Sequence, residues 1–143
     1  MKANAKKETI YANIIMLAVF FFAFLGTEYL FDNCMMYVTD ASGVVRAQNQ
    51  MLGVSAIGFL LYNWISGFLA DKSPWVTGGS GRLGFGVGAG CMGCIILHAG
   101  YVQMMIAGGV LFFLLGVLGA GVHYRMAYSV YDRAMLARCV GFE

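Results

Sequence analysis

Charged residues are scarce in this chain of 143 amino acids: Asp, Glu, Lys and Arg together make up 11% of it. Soluble domains typically carry about 25% charged residues, whereas hydrophobic residues reach 60% here and the mean hydropathy is +0.74. Such a chain has too few charges to cover a water-exposed surface. The formal charge of +2 does not indicate nucleic-acid binding, because the basic residues lie at the ends of apolar segments. The composition predicts a membrane protein whose main partner is the lipid bilayer.

The patterns of soluble enzymes are also missing from the sequence. It contains no nucleophile–base set, no metal-ligand cluster and no phosphate-binding loop in a suitable context. Cys91 and Cys94 have the spacing of a redox or metal motif. They lie inside an apolar run, however, where thiols usually act as small hydrophobic side chains. We therefore expect no enzymatic activity, no metal and no cofactor.

Three charge-free runs divide the chain. Nineteen residues separate Glu8 from Glu28, and 24 residues run from Ala47 to Ala70. Each is long enough to cross a bilayer as a helix, whereas the 42 residues of Leu83–Tyr124 exceed one span and should fold back at His98–Tyr101. The sequence predicts an all-α, polytopic membrane protein with one domain over residues 1–143. Its four transmembrane helices are expected at about 10–31, 47–71, 83–99 and 102–124.

The basic residues predict an orientation. If the N-terminus is cytoplasmic, eight of the nine Lys and Arg residues fall on the inner side and only Arg46 falls outside. This distribution follows the positive-inside rule. We expect both termini to be cytoplasmic, an amphipathic inner segment over residues 125–138, and a multi-pass protein of the bacterial cytoplasmic membrane. The inner basic residues are Lys2, Lys6, Lys7, Lys72, Arg82, Arg125, Arg133 and Arg138.

The second apolar run ends in a motif, Gly67-Phe68-Leu69-Ala70-Asp71-Lys72. It resembles the loop between helices two and three of the major facilitator superfamily, Gly-x-Leu-Ala-Asp-Arg/Lys-x-Gly-Arg. Five positions match, and Gly81-Arg82 supplies the closing pair. The eight residues of Ser73–Ser80, expected to form a turn, stand where the family usually has one. The matching positions are Gly67, Leu69, Ala70, Asp71 and Lys72.

The resemblance implies that the chain corresponds to helices one to four of a twelve-helix secondary transporter for a small solute, and that it does not transport alone. In that family the Asp of the motif helps to latch the two halves together, often with an Arg at the inner end of helix four. Asp71 and Arg125 occupy these places. Two hydrated, unpaired charges are the alternative interpretation.

A different class of function remains open beside the transporter. The chain could be a self-contained four-helix membrane protein that acts as a scaffold, an oligomer or a component of a sensor. Its partners would then be further copies or another protein, rather than the remainder of a transporter.

Two carboxylates near the end of the first run are candidate functional groups. Glu28 and Asp32 are four residues apart and share one face of a helix. They could bind a proton or a cation, but we favour hydrated headgroup-level residues that end the helix, because neither lies in the middle of the run. Asn63 is the most deeply placed amide of the second run and could line a cavity.

Glycine is concentrated in the third run. Gly84, Gly86, Gly88 and Gly90 form two small-xxx-small pairs, which favour close packing of helices in lipid. Helices that rock against each other are the alternative use of such a surface. The first run is rich in phenylalanine, which we expect to face lipid or to pack loosely.

Overall fold

The protein is all-helical in a computed structural model that describes residues 2–69, 79–97 and 100–129, with side chains over 10–65, 86–97 and 100–124. The prediction of four helices is confirmed. They are α1 (Lys2–Met35), α2 (Ala41–Leu69), α3 (Gly79–Ile96) and α4 (Tyr101–Ser129).

The first two helices extend beyond their predicted ends. α1 begins at Lys2 rather than at residue 10 and continues to Met35 rather than 31. α2 begins at Ala41 rather than at residue 47 and includes Arg46. Lys, Arg and Glu are good helix formers, so a charge ends an apolar run without ending the helix. The carboxylates at 28 and 32 therefore lie in the last two turns of α1.

The last two helices also differ from prediction. α3 begins at Gly79, so Gly79 and Ser80 are helical and do not belong to the predicted turn. α4 continues to Ser129, past the predicted end at 124. Residues 125–129 of the predicted inner segment thus extend α4, and the rest of that segment lies outside the described residues.

Asp40 explains where α2 begins. Its Oδ1 accepts a hydrogen bond from the backbone N–H of Gly43 at 3.1 Å, and its Oδ2 accepts one from the Ser42 hydroxyl at 2.7 Å. An Asp that binds a free N–H of the first turn is an N-cap. The five residues 36–40 therefore reverse the chain and direct α2 back along α1.

The predicted fold-back between the third and fourth helices is confirmed. α3 ends at Ile96, and α4 begins at Tyr101. Gly100 has a φ of 120°, a backbone conformation that glycine adopts without the penalty of a Cβ. Its carbonyl accepts the first hydrogen bond of α4, from the N–H of Met104 at 2.9 Å.

α4 lies at the centre of the bundle, in contact with α1, α2 and α3. Phe31 of α1 packs on Gly108 of α4, and Phe20 packs on Gly119. The two helices are therefore antiparallel. The sequence predicted that these phenylalanines face lipid or pack loosely, but the rings of Phe20 and Phe31 are buried against protein. Phe22, which is 86% exposed, points outward as predicted.

Two described segments are long and apolar enough to cross a membrane, Ile10–Met35 and Tyr101–Tyr124. α3 contributes a shorter apolar stretch, Gly86–Ile96. Among the described side chains, which end at residue 65, no window of α2 meets the same criterion, and its sequence there contains several uncharged polar residues (Gln48, Asn49, Gln50 and Asn63). Length and composition thus indicate a membrane protein, and a topology with four spans remains a proposal.

Candidate functional site

A polar cluster joins α1 to α2. Glu28 and Asp32 lie one helical turn apart on α1, and both side chains are half-buried. Gln48 of α2 donates a hydrogen bond from its Nε2 to Oε1 of Glu28, at 2.8 Å. The turn capped by Asp40 makes this contact possible, because it returns α2 along the last turns of α1. Glu28 and Asp32 lie near the end of the Ile10–Met35 segment, a candidate membrane span.

Asp32 differs from Glu28 in its surroundings. Its Oδ1 is buried and has no hydrogen-bond partner within the described part of the chain. Glu28, by contrast, accepts the amide of Gln48. A buried polar oxygen without a partner is costly, and more so when it is charged. The two carboxyls are thus chemically unequal although they are neighbours on one helix.

The polar side chains next to the cluster are satisfied within α1 itself. The buried Thr27 hydroxyl donates to the Ala23 carbonyl at 2.7 Å, and Asn33 Nδ2 donates to the Tyr29 carbonyl at 2.7 Å. Such bonds to the carbonyl one turn earlier are the usual solution for polar residues in apolar helices. The cluster therefore consists of Glu28, Asp32 and Gln48.

An apolar groove of about 400 Å³ opens between α1, α2 and α4. Gly116 and Gly119 of α4 line it, together with mostly aromatic side chains. His123 lines one part of it, where its Nδ1 donates to the Gly119 carbonyl at 2.8 Å, since a carbonyl can only accept. The other lining residues are Phe20, Phe21, Phe24, Ser55, Ala56, Phe59 and Leu60.

Asn63 does not belong to the polar cluster. It is exposed on α2, and it lies 15 positions after Gln48, about 22 Å further along the helix axis. The structure thus separates Asn63 from the two carboxylates that the sequence grouped with it.

The loop motif lies mostly beyond the described residues. Gly67 and Leu69 belong to the last turn of α2, whereas Ala70, Asp71 and Lys72 lie outside the described residues. Gly81 and Arg82 are in the first turn of α3 rather than in a loop, and Arg125 is in the last turns of α4. The side chains of Arg82 and Arg125 are outside the described part, so the pairing of Asp71 with Arg125 stays a prediction.

Two glycines of α3, Gly86 and Gly90, face open space among the described residues, whereas Gly88 lies next to α4. A Cβ on Gly86 or Gly90 would meet no heavy atom within 4 Å, and one on Gly88 would lie 3.6 Å from Leu111, an ordinary contact. Gly84 is helical, but its surroundings lie outside the described side chains. Packing through this surface would thus require a helix from outside the four described here.

Close packing occurs instead between α2 and α4. A Cβ on Gly58 of α2 would lie 2.5 Å from the Phe113 carbonyl oxygen, and one on Gly116 of α4 would overlap the Ser55 carbonyl oxygen. Met51 lies by Gly108, and Tyr62 lies by Gly121. α2 and α4 therefore run parallel, with their backbones in direct contact.

Metal ligation finds no support among the described side chains, where no three His, Cys, Asp or Glu residues come together.

The sequence analysis missed two residues that the structure shows to be important. Gln48 bonds to a partner 20 positions away, and Asp40 caps α2 in the pattern Asp40-Ala41-Ser42-Gly43.

Comparison with known proteins identified no relative of this chain. No family model matches the chain, and neither a curated protein nor a solved structure matches it. The function must therefore be argued from the residues and their arrangement.

Proposed function

We propose that these helices form the N-terminal part of a secondary transporter of the major facilitator type, which moves a small solute across the bacterial cytoplasmic membrane. The observation that supports this most is the pair of carboxyls, Glu28 and Asp32, in the last turns of an apolar segment, where Gln48 of α2 is hydrogen-bonded to Glu28. Ionisable groups inside a membrane are costly and usually mark a pathway for ions, protons or substrate. A helix that serves only as an anchor has no need of two carboxyls there.

In this proposal the carboxyl pair couples the movement of solute to a proton or a cation. Secondary transporters bind their coupling ion between helices that move relative to one another. α1 suits such movement because few of its residues are buried by the other helices: 17% of the residues in its most apolar stretch are buried, compared with 50% in α4. α1 is thus the peripheral element and the α2–α4 pair the fixed one.

A self-contained four-helix protein is the second candidate. The outward-facing Gly86 and Gly90 favour it, since open small residues on an apolar helix suit association with another helix. In that case the protein would act as a scaffold or an oligomer, and the carboxyl pair would have a structural role.

The size of the natural product distinguishes the two candidates. An epitope tag is placed on the N-terminus at the natural locus, and the membrane fraction is blotted. The transporter proposal expects a band for about 400 residues, enough for a dozen spans and their connections. A stable band at the 15.5 kDa of this chain would contradict it and support the self-contained protein.

A further inference from the structure

We propose that the apolar groove between α1, α2 and α4 holds one acyl chain of an anionic phospholipid, whose headgroup lies at the end of the bundle where α4 ends. The groove supplies the shape, and the basic residues at that end supply the charge. This inference goes beyond the transporter proposal. It requires only that the helices lie in a bilayer, and it applies equally to a self-contained four-helix protein.

The groove lies along the last part of a candidate membrane span. Its lining on α4 runs from Gly116 to His123, a length of about 10 Å along the helix axis. The span itself ends at Tyr124. The groove thus begins at the depth where the apolar segment ends, and it continues inward over about a third of a hydrocarbon core that is about 30 Å thick. This is the depth of the part of an acyl chain that is next to its headgroup.

The walls of the groove are aromatic and are held in place by ring contacts. The Phe59 ring packs edge-on against His123, with centroids 5.8 Å apart, and Phe20 lies against Phe24 at 6.0 Å. The groove is open on one side, where the lining residues Phe21, Ala56 and Leu60 are exposed. A slender apolar ligand can therefore enter it sideways from the hydrocarbon.

The size of the groove favours an acyl chain over a helix. A helix with its side chains is about 10–12 Å wide, so a helical segment as long as the groove would occupy roughly 800 Å³. The groove has a volume of about 400 Å³. A single hydrocarbon chain is the apolar occupant that is narrow enough and that the bilayer itself provides.

The directions of the helices bring basic residues to the same end of the bundle. α1 and α3 run antiparallel to α4, so both begin where α4 ends. The described helices place five basic residues and one acidic residue at this end, compared with one basic and three acidic residues at the other end. The first set is Lys2, Lys6, Lys7, Glu8, Arg82 and Arg125, and the second is Glu28, Asp32, Asp40 and Arg46.

The headgroup decides which lipid binds. An acyl chain is surrounded by hydrocarbon in the bilayer as well as in the groove, so its transfer contributes little to selectivity. Basic residues near a membrane surface attract anionic lipids, and basic pockets between transmembrane helices bind anionic headgroups. Arg125 follows the groove residue His123 by two positions on α4. The groove thus positions the lipid, and the charge at its end selects it.

Electron spin resonance with spin-labelled lipids tests the proposal, using the full chain in phosphatidylcholine vesicles. Lipid held by the protein gives an immobilised component beside the mobile signal of the bilayer. We expect labelled phosphatidylglycerol to give a larger immobilised component than labelled phosphatidylcholine, and this excess to fall when salt is added. Equal components for the two labels would overturn the proposal.

Two matched substitutions locate the lipid. Ala56→Phe adds a ring to an exposed residue that lines the groove, and it should abolish the phosphatidylglycerol excess. Ala18→Phe makes the same change at an exposed position of α1 that does not line the groove, and it should preserve the excess. An excess that persists in Ala56→Phe, or that is lost equally in both variants, would overturn the assignment to the groove.

A second pair of variants tests the charge and leaves the groove lining intact, so it remains informative if Ala56→Phe does not fold. Arg125→Gln should lower the preference for phosphatidylglycerol about fivefold, the factor expected for one basic residue at a membrane surface. Arg46→Gln removes a charge from the opposite end and should leave the preference unchanged. Equal effects of the two variants would contradict the role of this end.

A second copy of the chain in the groove would give a different pattern. The phosphatidylglycerol excess would be absent from the wild type, and Ala56→Phe would weaken chemical cross-linking between copies in the vesicles. That outcome would overturn the lipid assignment and would identify the groove as an interface between copies.

Discussion

Gly116 of α4 lies against the backbone of α2 at Ser55. A Cβ at position 116 would overlap the Ser55 carbonyl oxygen and would come within 3.1 Å of the backbone nitrogen of Phe59. Backbone atoms within a helix cannot rotate away as a side chain can. The close contact of the parallel α2–α4 pair thus requires glycine at position 116, as it does at position 58.

We expect Gly116→Ala to destabilise the bundle by about 1–3 kcal/mol, the usual cost of forcing an extra methyl group into a packed interface. The thermal unfolding midpoint in mild detergent measures the effect. Gly109→Ala is the matched control on the same helix, because its Cβ would meet nothing within 4 Å. The control should be neutral or stabilising, since alanine favours a helix by about 1 kcal/mol over glycine. Equal midpoints for the two variants would contradict the α2–α4 contact.

The glycine spacing of the sequence predicted close packing on α3, and that packing stays a prediction; among the described residues the closest approach is between α2 and α4. Spacing in α3 shows which surface permits close approach, but it does not identify the helix that approaches. Within this chain the approach occurs at Gly58 and Gly116, and Gly86 and Gly90 face open space. The partner of a small residue depends on which helices become neighbours, and local sequence does not contain that information.

Phe31 should be the most sensitive aromatic position of α1. It is 1% exposed, and its ring packs edge-on against Phe112 with centroids 5.7 Å apart. Phe31→Ala should leave a cavity and lower the unfolding midpoint. The cost should fall below the about 3–5 kcal/mol typical of soluble cores, because in lipid the transfer from water contributes little. Phe22→Ala, at an 86% exposed position, should leave the midpoint nearly unchanged. Equal shifts would refute the orientation of α1.

The capping of α2 should depend on pH. Hydrogen bonds from the Ser42 hydroxyl and the Gly43 amide hold the pKa of Asp40 below its usual value. Because the pKa is lowered on folding, the stabilisation is fully present above the ordinary Asp pKa of about 3.9 and is lost as the pH falls through the folded value. Amide exchange at Gly43 should therefore accelerate in strong acid, relative to its intrinsic rate.

Asp40→Asn provides the control for this prediction. Asparagine is an equally good N-cap but does not titrate. In this variant the Gly43 amide should have the same protection from exchange in strong acid as at neutral pH. Acid-induced loss of protection in the Asn variant as well would show that the effect does not come from Asp40.

The ends of the helices and the polar cluster differ in how far the sequence could predict them. The start of α2 was accessible, because Asp40 and Ser42 form a recognisable cap; counting charge-free residues placed the start six positions too late. The bond between Gln48 and Glu28 was not accessible. It depends on the length of the turn after Met35 and on the rotation of two helices about their axes.

The Asp71–Arg125 pair provides the most direct check of the resemblance to the major facilitator superfamily. In a background without the four native cysteines, Asp71→Cys is combined with Arg125→Cys, and a protease site is inserted in the 97–100 turn. If the two positions pair, oxidation should hold the two fragments together after cleavage. A disulfide requires Cα atoms within about 7 Å. Asp71→Cys with Tyr101→Cys is the matched control, since Tyr101 lies about 36 Å from Arg125 along α4. It should release both fragments. Release by both pairs, with and without added solutes, would remove the latch and with it the main functional implication of the Gly67–Lys72 motif.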